Sequence, residues 1–167
     1  MYKTEAIITK VENFKENHLS ISVYSSEYGQ KSLVVFGGKS KKKNSTYVKG
    51  SLNNIEFDNN NVCLSSTSIN KFKWFLFSKY ELKTIDYFCF LINKLLFLTD
   101  QNSNVVSYYL LLISKLNERS NYLPELLLLE LEILKASGYQ PDLNESVLKK
   151  IFNFHDNSNL KLSLIHI

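Results

Sequence analysis

The sequence predicts an α+β protein in which a small strand-rich domain precedes an α-helical domain. Short strand-like segments separated by turn residues fill roughly the first 65 residues, and the apolar period changes to helical spacing near Lys79. The length of 167 residues accommodates one large domain or two small ones. With 44% hydrophobic and 22% charged residues, and only 5 Gly and 2 Pro, the composition excludes collagen-like and largely disordered chains.

The N-terminal part is predicted to form five short strands. Apolar and polar residues alternate in residues 4–11 and 19–24, and residues 31–36 are β-branched and aromatic. Weaker strands are predicted at residues 47–57 and 62–64, and turn residues such as Gly37-Gly38 separate the segments. Five strands in this length fit a small barrel or a sandwich, and the five-stranded OB-fold matches both the number and the length.

Three helices are predicted from Lys79 onward. Apolar residues recur at helical spacing in residues 82–95 and 105–116. The third helix has Pro124 in its first turn and Gly138 as its stop signal. Its four leucines at 126–129 cover every direction around one turn, which predicts burial on several sides. The predicted domains are residues 1–70 for an OB-fold nucleic-acid-binding domain and 79–161 for the helices, with a linker at 71–78.

Several classes of protein are disfavoured by what the sequence lacks. The N-terminus has no secretory signal, and the longest apolar stretches fall far short of the ~20 residues of a membrane span. We therefore expect a soluble, cytoplasmic protein with no membrane partner. Two cysteines, Cys63 and Cys89, are too few for a disulfide framework or a four-cysteine zinc site. No phosphate-binding glycine loop or histidine cluster is present, so we expect no enzyme, no cofactor and no metal.

Basic residues concentrate in the N-terminal half of the chain. Residues 1–83 have a net charge of +6, and residues 84–167 have a net charge of −2. One polar loop contains Lys39, Lys41, Lys42 and Lys43. Four ammonium groups on a loop beside a sheet would neutralise phosphates and give salt-dependent binding to nucleic acid. The alternative is an ordinary solvated surface loop.

Two aromatic residues are candidates for base stacking. If Leu19, Ile21 and Val23 face the barrel core, strand alternation turns Tyr24 outward. Phe36 can share that outer face, and bases stack on such aromatic residues in OB-folds. For Phe36 the alternative is core packing, because residues 33–35 are all apolar.

A run at the end of the third helix is more specific than the strand pattern. Residues 129–143 read Leu-Glu-Leu-Glu-Ile-Leu-Lys-Ala-Ser-Gly-Tyr-Gln-Pro-Asp-Leu. They follow a strand-rich part that opens Thr4-Glu5-Ala6-Ile7-Ile8 and contains Glu27-Tyr28-Gly29 and Gly37-Gly38. Together these features resemble the bacterial recombination mediator family RecO over about residues 3–143. The run is similar to that family's Phe-Glu-Leu…Leu-Leu…Gly-Tyr-x-Pro-x-Leu signature, with Leu129 in place of the phenylalanine.

The resemblance implies a function in DNA repair and recombination. RecO proteins of the RecFOR pathway bind single- and double-stranded DNA, anneal strands and help load recombinase onto DNA coated by single-strand-binding protein (SSB). It also implies two protein partners, RecR and the C-terminal tail of SSB, and a nucleoid-associated location. An acidic, apolar tail needs a groove flanked by cations, for which Lys94, Lys115 and Arg119 are candidates, although solvent-facing helix ends are the alternative. A non-catalytic OB-fold protein-interaction module that binds no nucleic acid is the competing interpretation.

Two features depart from the family pattern. Many RecO proteins place Cys-x-x-Cys just after the Pro-x-Leu element as half of a zinc site, whereas residues 144–149 contain no cysteine. We therefore expect no zinc of that kind. The chain also ends earlier than the family usually does, so a C-terminal truncation is expected, with residues 162–167 as a suspected adapter-derived scar.

Overall fold

The strand-rich part is a single five-stranded sheet. The structure, a computed structural model, describes residues 1–40, 45–69, 77–96 and 104–139. Neighbouring strands are antiparallel, and their spatial order is β3-β2-β1-β4-β5. The strands are β1 (Tyr2–Phe14), β2 (His18–Ser25), β3 (Gly29–Val35), β4 (Leu52–Phe57) and β5 (Cys63–Ser68).

The two edges of this sheet meet and close it into a barrel. Val34 of β3 and Val62, just before β5, form a parallel bridge. The Val34 N–H donates to the Asn61 carbonyl at 2.9 Å. Closure pairs the edge strands that would otherwise remain open. The sheet confirms the predicted OB-like architecture, and the closure favours a barrel over a sandwich.

The barrel interior follows the predicted alternation. Leu19, Ile21 and Val23 of β2 point into one buried cluster with Leu33 and Val35 of β3. The strand predicted at residues 47–57 is shorter than expected, since β4 begins at Leu52. The chain turns immediately before it, where Gly50 has φ +84°. A left-handed backbone at that position ends the extended geometry a strand requires.

The three predicted helices are present as α1 (Lys79–Leu95), α2 (Val105–Asn117) and α3 (Leu123–Ala136). A capping box starts α1: the Glu81 N–H donates to the Ser78 hydroxyl at 3.3 Å, and the Glu81 carboxylate accepts from the Ser78 N–H. Pro124 lies in the first turn of α3, and Gly138 follows its end with φ +85°. The four-leucine run is buried less evenly than expected, with Leu126 and Leu129 buried and Leu127 and Leu128 half-buried.

A second core joins the helices to the outside of the barrel. Ile7, Tyr24 and Leu52 project from the barrel into a cluster with α1, α2 and α3. At its centre the rings of Phe88 and Tyr109 stack with centroids 4.4 Å apart. The helices therefore cover one outer face of the barrel. The predicted division into domains at residues 70 and 79 stays a prediction.

Some predicted features lie beyond the described residues. These are the stretch from Gln140 through the Pro-x-Leu element and the suspected scar at 162–167, together with most of the predicted linker. Within the described ranges, no helix has the length and apolar character needed to cross a bilayer.

Candidate nucleic-acid interface

At one end of the barrel, Gly37 and Lys39 at the start of the basic loop contact the turn between β1 and β2. The Lys39 ammonium donates to the Lys15 carbonyl at 2.8 Å. The Gly37 N–H donates to Nδ1 of His18 at 3.2 Å. Two turns that are more than twenty residues apart in sequence are thus held side by side by direct hydrogen bonds.

Glycine is required where the basic loop leaves the barrel. Gly37 has φ +65°, a left-handed conformation that L side chains rarely adopt. A Cβ atom at Gly38 would lie 2.9 Å from the side chain of Leu19, which is a core residue. The predicted Gly37-Gly38 turn is therefore a tight exit from the barrel, directly before Lys39.

Exposed aromatic rings lie beside the lysines at this end. Phe36 is 54% exposed, and its ring meets the His18 ring edge-on with centroids 4.9 Å apart. Phe14 is 38% exposed, and the Lys15 ammonium lies 5.5 Å from its ring centroid. The exposure of Phe36 excludes the core-packing alternative for this residue. We call the surface formed by Phe14, Lys15, His18, Phe36 and Lys39 the basic–aromatic end.

The sequence prediction identified only part of this surface. Lys39 and Phe36 were predicted, whereas Phe14, Lys15 and His18 were not. The sequence does contain a pattern that could have indicated them, because an aromatic residue, a lysine and a histidine lie between the first two predicted strands. Lys41, Lys42 and Lys43 lie outside the described residues. They remain predicted members of the same loop.

The prediction for Tyr24 is wrong about solvent access. The side chain does point away from the barrel core, as strand alternation requires, but it is fully buried. It packs in the cluster that the helices form on that outer face. A ring enclosed in this way offers no surface for base stacking, so Tyr24 is a structural residue.

The three basic residues of the helical part lie at helix ends. Lys94 is in the last turn of α1, and Lys115 is in the last turn of α2, where cations complement the helix dipole. The Lys115 ammonium lies 3.5 Å from a carboxylate oxygen of Glu118. Arg119 follows α2 and is exposed. A role for them in partner binding stays a prediction.

The two thiols are buried among apolar side chains. Burial raises the pKa of Cys89 to about 12, so its thiol is neutral near pH 7. Cys63 lies inside the barrel, with its sulfur 3.9 Å from the Tyr47 hydroxyl. In the part of the chain that the structure describes, no three His, Cys, Asp or Glu side chains are grouped so as to hold a metal ion.

Comparison with known proteins agrees with the barrel and its position in the chain. Residues 1–68 match the family model described as Recombination protein O N terminal. No curated protein matches the chain. The matched residues include all five strands of the barrel and all five residues of the basic–aromatic end. Residues 1–68 are therefore similar to the N-terminal domain of RecO proteins, and this similarity indicates a RecO-type role in DNA recombination and repair.

Proposed function

We propose that this protein binds DNA through the basic–aromatic end of its barrel. In this proposal it binds single- and double-stranded DNA, anneals complementary strands and helps load recombinase onto SSB-coated strands. The observation that carries the proposal is the hydrogen bond between Lys39 and the Lys15 carbonyl. It holds Lys39, the first lysine of the loop, against the β1–β2 turn, at the barrel end where Phe36 is exposed.

The chemistry of this end suits a polyanion with planar bases. Each lysine that contacts a phosphate releases a condensed counterion, which makes binding sensitive to salt but not to sequence. An exposed ring such as Phe36 adds base stacking, which every base can supply. The β1–β2 turn is also one of the loops through which OB-folds bind oligonucleotides. Lys41, Lys42 and Lys43 would add three cations to the same loop.

The remaining parts of the proposal come from the similarity of residues 1–68 to RecO proteins. The RecO family consists of non-catalytic recombination mediators, and we propose that this chain works without catalysis or a cofactor. RecR and the C-terminal tail of SSB are the proposed protein partners. Lys94, Lys115 and Arg119 are proposed contacts for the acidic tail, because cations flanking apolar helices suit such a ligand. A cytoplasmic, nucleoid-associated location follows from a DNA partner.

Fluorescence anisotropy of a labelled single-stranded oligonucleotide tests the proposal. One variant replaces Lys39, Lys41, Lys42 and Lys43 with Ala. Its control replaces four exposed lysines of the helices, namely Lys79, Lys83, Lys94 and Lys135, and therefore has the same net charge. We expect the loop variant alone to bind weakly, with the slope of log K against log salt reduced by up to about 3, since each phosphate contact contributes ~0.7.

A matched pair of aromatic substitutions isolates stacking from charge. Phe36 and Phe90 are both 54% exposed, one at the basic–aromatic end and the other on α1. Phe36→Ala should weaken binding by about five-fold or more, because base–aromatic stacking stabilises by ~1–3 kcal/mol per base. Phe90→Ala should leave binding unchanged. A folded wild-type chain that binds no oligonucleotide, yet binds a protein partner regardless of salt, would instead establish the interaction-module interpretation.

A further inference from the structure

A second aromatic surface lies at the opposite end of β1 from the basic–aromatic end. The rings of Tyr2 and Phe57 stack with centroids 5.2 Å apart and an interplanar angle of 27°. Tyr28 meets both rings edge-on, at 5.5 Å from Tyr2 and 5.6 Å from Phe57. Phe57 is buried in the barrel core, whereas Tyr2 is 39% exposed. The core therefore fixes one ring, and that ring positions another that solvent can reach.

These rings line an open cleft of about 340 Å³. Pockets that bind small molecules span roughly 300–1,000 Å³, so this volume suits a ligand of modest size. The cleft forms where the β2–β3 turn meets the β4–β5 turn at the barrel closure. Its lining consists of Tyr2, Tyr28, Lys31, Phe57, Asp58, Asn59 and Asn61.

Hydrogen bonds hold the β4–β5 side of this cleft in place. The Asp58 carboxylate accepts from the N–H groups of Asn60 at 2.9 Å and Val62 at 2.8 Å. The Asn61 carbonyl accepts from the Val34 N–H of β3. Both ends of the turn are thus tied down, and the cleft does not need to be assembled when a ligand arrives.

The charged groups of the cleft define the chemistry of its ligand. Among the described residues, Lys31 makes no ion pair, so its ammonium can serve an anion. The Asp58 carboxylate would repel an anion placed beside it but can accept hydrogen bonds from a base. A ligand that suits the cleft therefore has a flat ring to lie on Tyr2 and an anionic group to reach Lys31.

We propose that this cleft binds one unstacked nucleotide of single-stranded DNA. The base lies on the Tyr2 ring with its polar edge toward Asp58, and the adjacent phosphate lies at Lys31. Bases within a duplex are paired and stacked, so they cannot enter without being extruded. The cleft therefore binds unpaired strands in preference to duplex DNA. This inference rests on the proposed DNA-binding function and adds a separate contact to it.

Strand β3 connects the cleft to the basic–aromatic end. Lys31 lies in β3 and Phe36 directly follows the last residue of that strand, so the two are up to roughly 17 Å apart at ~3.3 Å per residue. OB-fold proteins contact about 4–16 nucleotides per domain. One strand of DNA can therefore run along the barrel and engage both places. The two contacts should act together on affinity while remaining separable by mutation.

Photo-crosslinking with an oligonucleotide that contains 5-iododeoxyuridine tests the cleft directly, because this base crosslinks efficiently to an aromatic ring on which it stacks. The full-length chain is irradiated with the oligonucleotide, and adducts are mapped by mass spectrometry. We expect an adduct on Tyr2 or Tyr28. Affinity is measured in parallel by anisotropy, and thermal unfolding confirms that each variant is folded.

Two substitutions and two matched controls complete the test. Tyr2→Leu keeps an apolar group on Phe57 but removes the stacking ring, and Lys31→Gln removes the cation. Tyr80→Leu, at a tyrosine that is 77% exposed on α1, and Lys83→Gln, at an exposed lysine of the same helix, are the controls. Tyr2→Leu should weaken single-strand binding by about five-fold or more. Lys31→Gln should weaken it and lower the slope of log K against log salt by about 0.7, whereas the controls should do neither.

The outcomes separate failure of the cleft from failure of the proposed function. If the wild-type chain binds the oligonucleotide but cleft and control variants bind equally well, with no adduct at Tyr2 or Tyr28, the cleft inference is overturned and the proposed function stands. If the folded wild-type chain binds no single-stranded DNA, both are overturned. Loss of affinity in the cleft variants, with the adduct present in the wild type, supports the cleft.

Discussion

The side-chain amide of Asn93 joins α1 to the barrel, and its removal should destabilise the protein measurably. Its Oδ1 accepts from the Thr9 hydroxyl at 3.0 Å and from Nε2 of Gln30 at 2.9 Å. Its Nδ2 donates to the Thr9 carbonyl at 3.2 Å and to the Cys89 carbonyl at 2.7 Å. Thr9 lies at an irregularity in the pairing of β1 with β2, where strand pairing leaves polar groups to be satisfied from outside the sheet.

The expected cost of Asn93→Ala follows from the environment of each partner. Three of the four hydrogen bonds link the helix to the barrel, and each contributes about 0.5–1.5 kcal/mol net. Thr9 is fully buried, so its carbonyl gains no water in exchange. Without Asn93 its hydroxyl can donate its one proton to the Ser22 carbonyl at 3.2 Å, and Gln30 is half-buried, which limits the remaining loss. We expect the free energy of unfolding to fall by about 2–3 kcal/mol.

Urea unfolding monitored by circular dichroism measures this change. The midpoint should fall while the slope m is unchanged, and the melting temperature should drop by roughly 4–12 °C for a chain of this size. Lys94→Ala is the control, because Lys94 is the next residue in α1 and its side chain is exposed. A loss below about 0.5 kcal/mol for Asn93→Ala, no larger than a typical surface substitution, would refute the argument that this amide clamps the helix to the barrel.

Two further predictions concern buried groups in the core between barrel and helices. The Tyr109 hydroxyl donates to the Gly50 carbonyl, so Tyr109→Phe should leave that acceptor unpaired. The free energy of unfolding should then fall by about 1–2 kcal/mol in urea titrations. An unchanged urea midpoint would contradict this prediction. Burial raises the pKa of Cys89 from 9.0 to about 12. Between these two pH values the unfolded state loses the thiol proton and the folded state retains it. The free energy of unfolding should therefore be unaffected by this thiol below pH 9 and should decline above it. Urea unfolding between pH 8 and 10 should show this decline in the wild type but less of it in Cys89→Ala; an equal decline in both would contradict it.

Local patterns in the sequence were sufficient to predict the type and order of the strands and helices, although not every boundary. The alternation at Leu19, Ile21 and Val23 places these residues inside the barrel, as predicted. Pro124 and Gly138 lie at the two ends of α3, as predicted. These features depend on neighbours within a few residues, for which strand alternation and helix-end chemistry are reliable guides.

Predictions about solvent access depended on contacts that sequence patterns do not contain. Alternation correctly separated Tyr24 from the barrel core, but it could not show that α1, α2 and α3 cover that outer face. Phe36 follows three apolar residues, so the sequence around it could not show whether its side chain faces the core or solvent. In the structure the side chain is exposed. The contacts of His18 with Phe36 and Gly37 likewise require the β1–β2 turn to meet the basic loop in space.

The same helix docking that buries Tyr24 determines which part of the barrel is open for the proposed DNA binding. Tyr24 pairs with Gln30 across β2 and β3, and Gln30 donates to Asn93 of α1, so this end of the two-strand surface is covered. Farther along β3, Ser32 and Phe36 are exposed. An OB-fold binds nucleic acid on the surface of these two strands and the adjoining loops. Here the helices cover that surface at Tyr24 and Gln30, whereas the cleft beside Lys31 and the far end near Phe36 stay open. Weakening the Asn93 contacts should therefore destabilise the protein without affecting the proposed DNA contact at Phe36, because Phe36 lies outside the covered area.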